Sequence, residues 1–129
     1  MYPGNNLCFD MEEPKKYDLE ERTARFAERI REFCLKLPKN PANTEYIPQL
    51  LRASSSPGAN YIEANESLGG KDFNVKIKTC RRESKESAYW LRLVITDKSK
   101  EMEYERKSLI QEAREFVLIF SAILKKRGS

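Results

Sequence analysis

The sequence predicts an all-α protein, an antiparallel up-down-up-down four-helix bundle. Three observations predict it. Apolar residues return every three or four positions in four successive stretches. The links between those stretches are short and rich in proline, glycine or polar residues. No stretch shows the two-residue alternation of a half-buried strand. The 129 residues suit one domain, and 40% apolar with 34% charged types are too apolar for a disordered chain and too charged for a membrane protein.

Residues 1–17 carry Pro3, Gly4 and Pro14 and no sustained period, so they read as an N-terminal arm ahead of a bundle at 18–127. The first helix is expected at about 18–37. Asp18 and Glu21 form a capping-box pattern, and Leu19, Thr23, Phe26, Ile30, Phe33 and Leu37 make a heptad seam. Pro38 stops it, and Pro41 keeps the connection from resuming.

The second helix, at about 44–68, is expected to begin between Thr44 and Ile47, because Pro48 is tolerated near a first turn. Leu50, Leu51, Ser54, Tyr61, Ala64 and Leu68 gather on one side. Alone, the run SSSPG at 54–58 reads as a loop that would split the region in two. The apolar phase, however, passes Pro57 and Gly58 without a slip, which favours one helix kinked near Pro57. Small side chains there admit a neighbouring backbone, and Gly69 and Gly70 end the helix.

Helix three is expected at about 71–95, with Phe73, Ile77, Cys80, Ser84, Ser87, Leu91 and Val94 on its seam. Thr96 to Ser99 form a short turn. Helix four follows at about 101–126, where Leu109, Ile110, Ala113, Phe116, Val117, Phe120, Ile123 and Leu124 make a wide inward face. Lys125, Lys126 and Arg127 suit the negative end of its dipole.

Several function classes are excluded by composition. The chain has no histidine, so His-based acid–base catalysis, Ser-His or Cys-His nucleophiles and Glu-x-x-His di-iron sites are out. The apolar run at 116–120 is far too short to span a bilayer, which needs about 20 residues, and Met1 to Phe9 lack the features of a signal peptide. Cys8, Cys34 and Cys80 are scattered, with no C-x-x-C pair, which suits a reducing compartment. A cytoplasmic location is therefore expected, with Cys34 and Cys80 as small buried hydrophobes rather than reactive thiols. No cofactor is expected, since Gly69, Gly70 and Lys71 lack the glycine spacing of a phosphate loop.

The runs YIPQLLR at 46–52, SSSPGANYIEAN at 54–65, KDF at 71–73 and CRRESKESAYWL at 80–91 together resemble a bacterial four-helix-bundle family, the 23S rRNA intervening-sequence protein family. LEERT at 19–23, followed by Phe26 and Ala27, fits as well, so the resemblance covers nearly everything after Tyr17. The arm lies outside it, and Pro57 stands where many members carry an aliphatic residue. The resemblance implies a bundle assembled as a homopentameric ring, with no established enzymatic activity; some members are encoded within insertions in ribosomal RNA genes. A more distant similarity, to the accessory variability protein of diversity-generating retroelements, implies contact with nucleic acid by analogy of fold alone.

Charge is unevenly spread. Residues 71–98 hold eight lysines and arginines against four acids, whereas 44–68 hold one against three. Lys71, Lys78, Arg82, Lys85 and Arg92 form one stripe on helix three, with Tyr89 in its middle, opposite the apolar seam. Such a line can track phosphates and stack a base; it is also what the solvated face of a basic protein looks like. RNA or DNA is thus a candidate partner beside the chain itself, and a ring would multiply the stripe.

A second set, Arg52, Ser56, Asn60 and Glu63 on helix two with Glu83 and Trp90 on helix three, adjoins the core. It reads as a hydrogen-bonded layer that fixes register, and Asn65 suits the same role. The enzymatic alternative rests on Glu63-x-x-Glu66 and Glu83-x-x-Glu86. Paired carboxylates on adjacent helices can hold Mg²⁺, as in all-helical nucleotide pyrophosphohydrolases, although Arg81, Arg82 and Lys85 crowd the second pair.

Overall fold

A computed structural model describes residues 16–128 of the chain. Four helices form a bundle: α1 (Lys16–Lys36), α2 (Pro41–Asn65), α3 (Gly70–Leu93) and α4 (Lys100–Lys126). Among the described residues there is no strand. Each helix packs on the next, and α4 returns to α1. Arg22 and Arg29 of α1 meet Glu112 and Glu105 of α4, and Arg52 and Glu63 of α2 meet Glu83 and Lys76 of α3. In each pair of helices the numbers rise along one as they fall along the other. Apart from the two residues that open α1, the expected arm lies outside the described residues, as does Cys8.

The heptad residues of α1 are buried as expected, Thr23 included, with its hydroxyl donating to the Leu19 carbonyl at 2.7 Å. Phe26 meets Phe116 edge-on at 5.4 Å between centroids, and Phe116 stacks on Phe120, so the centre is an aromatic column shared by α1 and α4. On α4, Leu109, Ala113, Phe116, Phe120 and Leu124 are buried, and Ile110, Val117 and Ile123 flank them half-buried.

Four boundaries differ from expectation: the start of α1, both ends of α2 and the end of α3. Asp18 lies in the first turn of α1 rather than at its cap, because the helix starts at Lys16. Helix α2 starts earlier, since Asn40 caps it by accepting the Asn43 amide at 2.8 Å and Pro41 occupies the first turn. A proline there loses no hydrogen bond, so Pro41 opens the helix instead of blocking it. At its other end α2 stops at Asn65, capped by Glu66, and Leu68 stands fully exposed instead of joining the core. Leu51 is exposed as well, and Gly69 is the N-cap of α3 rather than the terminator of α2. Helix α3 ends at Leu93, two residues earlier than expected, with Val94 as its C-cap.

Helix α2 runs unbroken through Pro57 and Gly58. A Cβ built on Gly58 would lie 3.0 Å from Thr23 Oγ1 and 3.3 Å from its Cβ, so α1 approaches closely where the side chain is absent. The facing stretch of α3 is equally small, with Cys80, Ser84 and Ser87 all buried. The two serine hydroxyls donate back to the carbonyls of Cys80 and Glu83, and Cys80 Sγ donates to the Pro57 carbonyl at 3.3 Å.

One end of the bundle is clasped by Asn43, which is buried. Its Nδ2 donates to the carbonyls of Pro38 and Ile95, and its Oδ1 accepts the Ile95 amide, all at 2.8–2.9 Å. Nearby, Arg106 donates to the carbonyls of Leu91, Arg92 and Val94, satisfying the open end of α3. Glu103 holds that guanidinium and accepts the Thr96 hydroxyl. The turn itself passes Asp97 and Lys98 at φ of 57° and 64°, before Ser99 caps α4.

Candidate nucleic-acid interface

Helix α3 presents its stripe as one exposed row. Lys71, Lys78, Arg82, Lys85, Tyr89 and Arg92 are all exposed, and at 1.5 Å per residue they span about 30 Å. Only Arg82 of the five cations forms an ion pair among the described residues, with Glu83 at 3.2 Å. Lys71, Lys78, Lys85 and Arg92 have no acidic partner among them. Tyr89 is 52% exposed and lies edge-on to Trp90, 5.1 Å between centroids, and Trp90 leans on Tyr46 of α2.

The tertiary structure adds cations that helix three alone does not announce. Arg127 swings from the end of α4 to lie over the Phe73 ring at 4.3 Å, next to Gly70 and hence to Lys71. Arg114 of α4 shares a shallow groove with Lys85. Arg81, a residue of α3 itself, is half-buried and reaches toward α4, its Nη1 3.5 Å from Ser121 Oγ. The sequence shows a basic close to α4 at Lys125, Lys126 and Arg127, but not that Arg114 or Arg127 lies against α3.

The acids are engaged elsewhere. Arg22 bonds Glu112 and Glu115 at 2.6–2.8 Å, which raises the guanidinium's pKa and holds the Glu115 carboxyl below its usual range, with Gln111 as the larger cause. Between α1 and α4 lies a larger groove of about 580 Å³, where four cations of α1 are balanced by Glu28, Glu32, Glu101 and Glu105. Its charges cancel, so it offers an anion nothing.

The second set of residues is partly joined. Arg52 binds Glu83 at 3.3 Å and Glu86 at 3.2 Å, and Glu83 is buried between Arg52 and Arg82. Glu63 takes Lys76 at 2.6 Å, which raises the lysine's pKa. Asn60 bonds Ser56 within α2, whereas Asn65 donates to Glu20 of α1, so it ties a different pair of helices. Trp90 does not belong to the polar layer: its Nε1 is buried without a partner, and the ring packs on tyrosines. Its place beside the core suggests a polar role, but Tyr46 and Tyr89 supply an apolar seat for the ring.

These pairings neutralise Glu63, Glu83 and Glu86, three of the four Glu-x-x-Glu carboxylates, with Lys76 and Arg52. Among the described residues, no three acids or cysteines stand close enough to hold a metal ion. Burial pushes the Cys34 and Cys80 thiols up to about 12, so neither is a nucleophile near neutral pH. Among the described residues, no helix is long and apolar enough to cross a membrane.

Comparison with known proteins agrees with this architecture. A family model described as 23S rRNA-intervening sequence protein matches residues 15–122. A 1.70 Å crystal structure of a protein of unknown function, from the S23 ribosomal protein family of Bacteroides thetaiotaomicron VPI-5482, is similar over 83% of this chain and 98% of its own. The two share 26% identity, with a TM-score of 0.69. No curated protein matches the chain.

Proposed function

Because the chain belongs to the 23S rRNA-intervening sequence protein family, we propose that it is a non-enzymatic bundle that assembles with copies of itself and binds nucleic acid through α3. One observation carries the reading. Five exposed cations and a tyrosine share one face of one helix, and four of the cations are unpaired among the described residues. Across the α1–α4 and α2–α3 seams the bundle pairs its charges, whereas this face leaves four cations open among the described residues. Leu35, Ile62, Val75 and Tyr104 remain at least half exposed, apolar surface that assembly would cover. A pentamer is the state that the family resemblance implies, and in a ring the stripes would act together.

Fluorescence anisotropy with labelled RNA and DNA across a salt series tests the reading. Five phosphate contacts per subunit on a duplex give a slope of log affinity against log salt near about −4.5. Lys78→Glu, Arg82→Glu and Lys85→Glu together are expected to abolish binding while leaving the circular dichroism spectrum intact. Absence of binding at low salt with several sequences overturns the reading.

A further inference from the structure

Beside the stripe, α3 and α4 leave a groove of about 450 Å³ lined by Lys85, Ala88, Arg114, Val117 and Leu118. Its floor is apolar, its two polar residues are both cations, and Leu118 is 70% exposed. Neither Lys85 nor Arg114 has an acidic partner among the described residues. The combination is specific in its demands. A duplex offers phosphates and polar base edges outward and keeps its apolar base faces stacked inside, so it has nothing to lay on Leu118 and Val117. A single strand offers both parts at once, a phosphate for each cation and an unstacked base whose face can lie on the aliphatic floor. Within the stripe itself, exposed Tyr89 supplies a second stacking surface.

Resting on the nucleic-acid reading above, we infer that the α3–α4 groove seats an unstacked nucleobase and that single strands are the form bound. A second copy of the chain is the competing occupant. Face-to-face pairing of two identical grooves would set Lys85 and Arg114 against their own equivalents, with no acid in the lining to offset them, and a head-to-tail contact in a ring would have to bring acid from another surface to the same two cations.

The test compares a labelled single-stranded RNA with a duplex of the same length, for the full chain and for Leu118→Ser, with particle mass followed by light scattering. Leu118 is a surface residue, so the variant is expected to keep its melting temperature. The full chain is expected to prefer the single strand, and Leu118→Ser to lower that affinity about tenfold, the loss of one stacked base, without changing duplex binding or mass. Equal affinity for both forms, or an unchanged single-strand affinity in Leu118→Ser, overturns the inference while the charge-reversed triple variant still tests the stripe. A fall in particle mass for Leu118→Ser also overturns it, by assigning the groove to a neighbouring copy.

Discussion

At the scale of single residues, the molecule depends on a few polar side chains that finish what helices leave undone. Asn43 satisfies three backbone groups and Arg106 three carbonyls, and each orphaned buried group costs about 1–3 kcal/mol. Glu103 is the titratable member of that cluster. Its hydrogen bonds from Arg106 and Thr96 hold its carboxyl below the usual range. A depressed folded-state pKa means that its stabilisation is complete above the unfolded value and is lost as pH falls through the folded one. Stability is therefore expected to drop on acidification below about pH 4.5, and Glu103→Gln to show a shallower drop. Exposure of the carboxylate limits the difference to about 1 kcal/mol. Urea melts at pH 5 and pH 3 measure it, and identical pH dependence in both proteins would show that Glu103 contributes nothing.

At the scale of elements, the heptad seams of α1 and α3 and the broad face of α4 were legible because burial imposes helical periodicity directly on sequence. Helix α2 was legible only in part. Its start was misread because Pro41 works as an opening residue once Asn40 supplies the cap, and a proline's effect depends on a boundary that the sequence leaves unmarked. Its end was misread because Leu68 continues the apolar phase after the helix has stopped. The passage through Pro57 and Gly58 was legible because the apolar phase continues across them; the small surfaces of Thr23, Cys80, Ser84 and Ser87 that accommodate it emerge only in the tertiary structure. Gly58→Ala is accordingly expected to destabilise by about 1–3 kcal/mol, against the gain an alanine usually brings to a helix. Pairing it with Thr23→Ala should restore part of the loss, because the nearest clashing atom is the threonine hydroxyl. A thermal melt of the two single variants and the double variant decides this, and additive losses would refute the clash.

At the scale of the whole molecule, the stripe on α3 was visible in the sequence as a row on one helix. Arg114 and Arg127 were not, because their place beside Lys85 and Gly70 follows from how α4 lies along α3. The polar layer was legible for Arg52, Glu63 and Glu83 but not for Trp90, whose neighbours come from two helices. Self-association is expected to show as a particle several times the 15.1 kDa chain in size exclusion with light scattering. Added RNA should raise that mass further, and a particle of monomer mass would remove the collective part of the proposal.

The two ends of the rod are not equivalent. Asn43 ties the link before α2 to the link after α3, so any lengthening at that end strains three hydrogen bonds. The opposite link, residues 66–69, has an exposed Leu68 and a Gly69 with open space around it. The backbone hydrogen bonds of this link are local to α2 and α3, and extra sequence is tolerated where backbone is exposed and tied to no distant element, so this is where a lineage can graft new peptide, or an experimenter a tag, while the core stays as it is.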